Sequence, residues 1–291
     1  MQDSIPWREY LRTNPEIRYR LILAGADNFL QVMGTLYNLS TAIPPILIST
    51  DPEFNAEATP DNEIHIALGL LQKSEICADL ASRDPAIPDR DSIVTGKMRT
   101  IVFWAVAHEF FHIARSHFEV LELHGPSARK PLEFDADMMA VAGLYRYFRT
   151  IPGEAPPIDI KLHILNGIFW AIREQICSNV AEPYTADPNY PTWHLRIWNA
   201  FIKLVQIDNK NWIEEVGRAR SEKADLEFQI LLHSLVDCDN AYCALRGLPH
   251  STFAQFIHTR RNVLDYGPLS SAWEKIEQSI FKLQRICKPR T

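Results

Sequence analysis

A histidine pair separated by one helical turn is the pattern in this chain with the clearest chemical meaning. The segment His108-Glu109-Phe110-Phe111-His112 has the form H-E-x-x-H inside an apolar stretch. Side chains four residues apart lie on the same face of a helix, so both imidazoles can reach one cation. The pattern predicts a zinc ion that activates a bound water, with Glu109 as the base that takes the proton of that water. Two buried structural histidines are the alternative.

A catalytic zinc site needs a third protein ligand, and the next predicted helix supplies a candidate. Residues 113–132 leave room for the end of one helix and a turn, so the chain can return and bring Glu133 over the histidine pair. Asp137 lies one turn further on the same face, where it can accept the second ring N–H of a zinc-bound histidine. We therefore expect one zinc ion per chain, held by His108, His112 and Glu133. An acidic, solvated helix start is the alternative.

The elements that must position these residues are mostly helical. Apolar periodicity predicts a long helix over residues 97–123 and a second over 131–149, separated by Gly125-Pro126. Short β-branched runs predict strands at 46–50 and at Ile64–Ile66, on either side of an acidic loop. Further helices are predicted over residues 6–40, 159–178, 192–206, 211–235, 251–264 and 270–286.

These elements predict an α+β fold, predominantly helical, with a small twisted sheet packed on the H-E-x-x-H helix and the Glu133 helix. The predicted organisation is a set of N-terminal helices over residues 1–43, a core over 44–205 and a helical C-terminal extension over 206–291.

Composition narrows the classes of partner and the compartment. The net charge is -6 with both signs interspersed, and no run of Lys or Arg stands out, so a nucleic-acid partner is not expected. The chain starts without the charged and apolar segments of a signal peptide, and its longest apolar stretches are too short to cross a bilayer. We therefore expect no membrane span and a cytoplasmic location, with the 5 cysteines reduced.

The motifs together resemble those of the gluzincin clan of zinc metallopeptidases, the thermolysin-like group. The specific part is His108-Glu-x-x-His112 followed by Glu133-x-x-Ala-Asp137. Upstream, Asn55-Ala-Glu-Ala, Ile64-His-Ile66 and Gly69-Leu-Leu71 resemble the run before the zinc helix in HtpX-type and CAAX-prenyl-type peptidases. The resemblance covers about residues 44–200 and implies a zincin-like core and cleavage of a peptide bond in a protein substrate.

A downstream segment carries a weaker part of the same resemblance. Tyr190-Pro191-x-x-x-x-Arg196-Ile197 resembles the late H-P-x-x-x-x-R-I segment of these peptidases, with Tyr in place of the first His. The resemblance makes Tyr190 or His194 the candidate donor to the oxyanion of the transition state. Arg196 in this segment is a candidate partner for an acidic group behind the zinc ligands, although an Arg on a helix surface is the more ordinary interpretation.

The resemblance further implies how substrate binds. Ile64, His65 and Ile66 correspond to an active-site edge strand to which an extended peptide could add. Unlike this chain, the HtpX-type and CAAX-type peptidases usually carry transmembrane helices and a more distant third ligand. Length and motif layout are more similar to phage-exclusion peptidases of the Lit type and repressor-cutting peptidases of the ImmA type, and this resemblance implies a role in phage defence.

Two other functions remain open from the sequence. A structural zinc in a binding or sensor module would have a fourth protein ligand, which His65, His117 or His124 could supply. His117 lies five residues after His112 and is expected to make a structural hydrogen bond instead. A hydrolase of a small non-peptide amide would use the same zinc site in a deep, narrow pocket.

Overall fold

The protein is mostly helical and contains one small mixed sheet. The computed structural model describes residues 4–82, 89–151, 155–177, 192–209, 222–248 and 273–285. The strands are β1 (Ile5–Pro6), β2 (Ile46–Ser49), β3 (Ala56–Ala58) and β4 (Ile64–Ala67). The helices are α1 (Trp7–Thr13), α2 (Ile17–Leu36), α3 (Leu68–Leu80), α4 (Arg90–Ala114), α5 (His117–His124), α6 (Arg129–Arg149), α7 (Pro157–Cys177), α8 (Trp193–Ile207), α9 (Glu222–Arg246) and α10 (residues 273–283), with a short 3-10 turn at Pro126–Ala128.

The order of strands in the sheet corrects the predicted edge strand. The order is β1-β2-β4-β3, with β2 and β4 parallel and the two outer pairs antiparallel. Ile64, His65 and Ile66 therefore lie in an inner strand, paired on both sides, and the strand at that edge is β3. The prediction was wrong because Ala-Glu-Ala has low β propensity and was interpreted as part of the acidic loop. In the structure Glu57 pairs with His65, and this pairing covers β4.

The long helix predicted over residues 97–123 is divided in the structure. α4 begins earlier, at Arg90, and ends at Ala114. Ser116 then adopts the left-handed conformation, with φ of 55°, and α5 starts at His117 in a new direction. A left-handed residue cannot continue a right-handed helix. Apolar periodicity persists across the break, which is why the sequence did not reveal it.

α4 is the central element of the fold. It packs against α2, α3, α6 and α7 and touches β3 and β4. Every residue from Thr100 to His108 is buried. A helix that is apolar on all sides belongs inside a protein, where neighbours cover each face. The side chains on α4 that carry chemistry are therefore held in a rigid, close-packed environment.

Two hydrophobic clusters form among the described residues. The larger extends from Tyr10 on α1 to Tyr242 on α9 and includes both faces of α4. The smaller one joins Val120 of α5, Ala128 and Leu132 to Ile276 and Ile280 of α10. The division of the chain into three portions, with boundaries at residues 43 and 205, stays a prediction. The predicted helix over residues 251–264 lies outside the described residues and also stays a prediction. None of the described helices is long and apolar enough to span a membrane.

Candidate metal centre

Two buried helices bring together the three predicted ligands. α4 presents His108 and His112 on one face, and α6 presents Glu133 opposite them. Nε2 of His108 lies 3.0 Å from Nε2 of His112 and 3.2 Å from Oε2 of Glu133. Nε2 of His112 lies 3.8 Å from Oε1 of Glu133. One ligand atom from each residue thus falls within 4.8 Å of the other two.

The contacts behind the histidines orient the rings toward this common point. Nδ1 of His108 lies 2.9 Å from Oδ1 of Asp137, as the one-turn spacing from Glu133 predicts. Nδ1 of His112 lies 3.0 Å from Nδ1 of His117. A carboxylate only accepts, so the contact with Asp137 favours a proton on Nδ1 of His108, and Nε2 is the nitrogen turned toward Glu133. Carboxylate support of this kind is the usual arrangement behind a metal-bound histidine.

The donor set fits a zinc ion. Zinc binds histidine nitrogen and carboxylate oxygen at about 2.0–2.2 Å in a tetrahedral arrangement, so two ligand atoms should lie about 3.3 Å apart. The observed separations of 3.0, 3.2 and 3.8 Å bracket that value. Two imidazole nitrogens and a carboxylate oxygen turned toward each other in a buried position also need a positive charge between them.

The electrostatics of the site agree with this need for a positive charge. Burial disfavours the charged form of His108, yet contacts with Asp137 and Glu133 raise its pKa to about 10. Burial lowers the pKa of His112 to about 3. This ring is therefore uncharged and can offer a nitrogen lone pair to a metal ion. Burial works against ionisation of Glu133, but His112 and His108 lower its pKa below the usual range.

Glu109 lies beside the ligand triad with its carboxylate facing the same cavity. Oε1 of Glu109 lies 4.0 Å from Nε2 of His108, and Oε2 accepts a hydrogen bond of 2.7 Å from the backbone N–H of Ala58. Burial raises the pKa of Glu109 to about 7. A carboxylate with a pKa near the working pH is suited to accept a proton and then return it.

A cavity of about 530 Å³ opens onto the ligands. Asn55 to Ala58 of the β3 region form one wall, and α5 contributes Phe118 and Leu121 to another. Trp104 and Leu132 add further apolar surface. The cavity therefore combines a polar, ligand-bearing floor with apolar walls and a strand edge, the composition expected of a binding site.

Arg196 makes the acidic contact that the sequence suggested as one of two readings. Its Nε and Nη2 donate to the two carboxylate oxygens of Asp137 at 2.7 and 2.8 Å. The Asp137 carboxylate raises the pKa of Arg196 against the effect of burial. Arg196 thus holds Asp137 in the position from which it orients His108. A bidentate pair of this kind is both strong and directional.

Of the two candidate oxyanion donors, the structure describes only His194. Tyr190 lies outside the described residues. His194 is buried, stacks on Trp193 with ring centroids 3.4 Å apart, and is not among the residues that line the cavity. The structure therefore gives the predicted role of His194 no geometric support. The reason is helical geometry, since Arg196 faces the cavity and a residue two positions earlier points to the opposite side.

The three histidines considered as a fourth ligand point elsewhere. His65 contacts Ser4 and Glu63 on the outer side of the sheet. His124 contacts Ser279 of α10, and His117 turns its Nδ1 toward the back of His112. Within the part of the chain that the structure describes, the triad is the one group of His, Cys, Asp or Glu residues with metal-ligand spacing.

No model of a protein family, no curated protein and no solved structure matches this chain.

A set of residues behind the metal centre was missed by sequence reasoning. Asp135 accepts two hydrogen bonds from Arg115 and contacts His117 at 3.0 Å. The motif E-x-x-A-D drew attention to Glu133 and Asp137, and Asp135 between them was given no role. The available signal was the charge complementarity of Arg115 and Asp135, but nothing in the sequence places them together.

Proposed function

We propose that this protein is a zinc-dependent peptidase whose metal is held by His108, His112 and Glu133. The observation that carries the proposal is the convergence of one buried and two partly buried donors within 4.8 Å of one another, with Glu109 beside them. The helix pair, the cavity and the strand next to it are what a zincin-like core would contain. The motif resemblance to gluzincins supports the same reading.

The residues of the chain divide the chemistry among them. Zinc, when bound, supplies the Lewis acid that activates water and polarises a carbonyl group. Glu109 accepts the proton of the attacking water and passes it to the nitrogen of the departing amine. The hydrogen bond from Ala58 holds one oxygen of Glu109 and leaves the other facing the ligands. Asp137 and Arg196 keep His108 in the orientation that binds metal.

The position of β3 supports a peptide as the substrate. β3 pairs with β4 on one side, and its other edge borders the cavity beside α4. An extended peptide can add to such an edge through backbone hydrogen bonds, which places its peptide bonds along the strand and across the metal. This assigns to Ala56–Ala58 the role that the sequence assigned to Ile64–Ile66.

Neither alternative gains comparable support. A structural zinc would use a fourth protein ligand, and the three candidate histidines make other contacts. A cavity of about 530 Å³ has the volume of a small-molecule site, but a strand edge along its wall favours an extended substrate.

The first test measures zinc content and peptide cleavage in the same preparations. Wild-type protein purified without chelator should contain about one zinc per chain by elemental analysis, because a catalytic site of this kind binds one ion. Glu133→Ala should lose most of it. Glu109→Gln should keep zinc and lose at least about 100-fold in cleavage of a proteome-derived peptide library, because the general base is gone.

Glu122→Gln is the matched control, since Glu122 is exposed on α5. It should keep both zinc and cleavage. A folded wild type without zinc contradicts the metal centre. Zinc with no cleavage of any library peptide favours the sensor module, and full cleavage by Glu109→Gln refutes the assigned base.

A further inference from the structure

A chain of buried polar contacts runs outward from His112, beyond the residues assigned above. Nδ1 of His112 faces Nδ1 of His117 at 3.0 Å, and Nε2 of His117 faces Oδ2 of Asp135 at 3.0 Å. His117 is 2% exposed and Asp135 is 7% exposed, so water does not take the place of these contacts. We call His112, His117 and Asp135 the histidine relay.

The direction of each hydrogen bond in the histidine relay follows from Asp135, the residue of the relay that lies furthest from the metal centre. Asp135 accepts from Nε and Nη2 of Arg115, so its carboxylate is held as an acceptor. His117 therefore donates from Nε2, and in the tautomer with hydrogen on Nε2 its Nδ1 is the acceptor. His112 must then donate from Nδ1, which leaves the lone pair of its Nε2 pointing at Glu133 and His108.

The break between α4 and α5 makes this arrangement possible. In a continuous helix, a residue five positions after His112 would point well away from it. The left-handed Ser116 redirects the chain, so that the first residue of α5 turns back toward His112. The unusual backbone at Ser116 thus has a structural consequence at the metal centre.

The C-terminal residues hold the break and Arg115 in place. Gln284 accepts a hydrogen bond of 2.7 Å from Nη1 of Arg115. Ser116 donates through its Oγ to the carbonyl of Leu283 at 2.9 Å, and the N–H of Arg285 donates to the carbonyl of Ala114 at 2.7 Å. Residues 283–285 therefore contact three consecutive residues at the end of α4.

We propose that His117 is a positioning residue that, through Asp135, holds His112 in the tautomer with a free Nε2, and that residues 283–285 anchor this arrangement. The proposal rests on the metal centre proposed above. Asp137 contacts Nδ1 of His108 directly and sets its tautomer. Nδ1 of His112 instead contacts His117, so its tautomer depends on Asp135 beyond His117. Groups that orient metal ligands in this way typically contribute about 10–100-fold to metal affinity.

The test combines a measurement without metal and one with zinc alone. In the zinc-free wild type, nitrogen-15 NMR of labelled histidines should show His112 protonated on Nδ1. His117→Phe removes the acceptor, so His112 should lose this preference and the zinc dissociation constant, from chelator competition, should rise about 10–100-fold. His117→Asn places a carbonyl oxygen near the former Nδ1 and should recover most of the lost affinity.

His124→Phe is the matched control, because His124 is also a histidine of α5 and its Nε2 contacts Ser279 of α10 at 2.8 Å. It should bind zinc as the wild type does. A wild-type His112 protonated on Nε2, or unchanged zinc affinity in His117→Phe, overturns the relay. The NMR measurement needs only wild-type protein, so it decides even if His117→Phe does not fold. A wild type that binds no zinc while His112 shows the Nδ1 tautomer would refute the metal centre instead.

Discussion

At the scale of residues, the ion pair of Arg196 and Asp137 shows how a buried charge can orient a neighbouring side chain. Asp137 is 2% exposed, and its two oxygens are shared between the guanidinium of Arg196 and Nδ1 of His108. A buried ion pair adds little net stability compared with apolar residues, but removing one partner leaves an uncompensated charge. The pair is therefore better understood as a means of orienting His108 than as a source of stability.

Replacing Arg196 with Met should lower the free energy of unfolding by about 3 kcal/mol, because Asp137 is left buried without its main partner. Zinc affinity should fall as well, since His108 loses a fixed acceptor. Urea unfolding and zinc competition measure the two effects. Arg8→Met is the control, because Arg8 is 69% exposed in its pair with Asp27 and should contribute less than about 1 kcal/mol. Equal effects of the two substitutions would show that the Asp137 pair is not critical.

At the scale of elements, the placement of β3 depends on a close backbone approach at Gly69. The loop before β3 passes over the start of α3, and the N–H of Gly69 donates to the carbonyl of Asp51 at 2.9 Å. A Cβ at Gly69 would lie 2.1 Å from the carbonyl oxygen of Pro52 and 2.3 Å from that of Glu53. Only glycine allows this contact, so the loop and the strand edge at the cavity are positioned together.

Gly69→Ala should destabilise the protein by about 1–3 kcal/mol, because backbone atoms of the loop must move to make room. Gly96→Ala is the opposite case within α4. A Cβ at Gly96 meets no atom within 4 Å, so alanine should stabilise by up to about 1 kcal/mol through its higher helix propensity. Urea unfolding of both variants measures the difference. The same sign for both would contradict the close approach at Gly69.

At the scale of the whole molecule, the two helices of the metal centre pack in different hydrophobic clusters at the candidate ligands: α4 in the larger one, and the start of α6 in the smaller one. The buried apolar residues of α4, on both sides of its histidines, lie in the larger cluster, which α9 also joins through Leu231, Leu235 and Tyr242. α10 has its buried residues Ile276 and Ile280 in the smaller cluster, with Leu132 next to the ligand Glu133. A helix held by a small cluster opens more readily than one in the main core.

We therefore expect amide hydrogens of residues 273–283 to exchange faster than those of residues 100–114, with α9 close to α4 in protection. Hydrogen exchange followed by mass spectrometry at neutral pH measures this order. Ile280→Ala should increase exchange in α10 and in α5 while leaving α9 unchanged, because only the smaller cluster loses contacts. Uniform protection across all these helices would mean that the two clusters unfold as one unit.

Elements whose signals are local could be predicted from the amino-acid sequence. The α+β composition, the helical character of α4 and α6, and the strands at Ile46 and Ile64 all follow from periodicity and residue type within short windows. The same holds for the proximity of His108, Glu109 and His112, since four residues make one helical turn. The distances from Glu133 and Asp137 to the histidines required only that two adjacent helices pack face to face.

Features that depend on contacts between distant residues could not be predicted from the amino-acid sequence. Which strand lies at the sheet edge depends on β3 pairing with β4, although Ala-Glu-Ala carries a weak strand signal. The helix break at Ser116 is held by Leu283 and Arg285, more than 160 residues away in the chain, which no local pattern can indicate. The histidine relay and the bond from Ala58 to Glu109 arise in the same way, because side-chain and backbone partners are chosen by packing in space and not by spacing along the sequence.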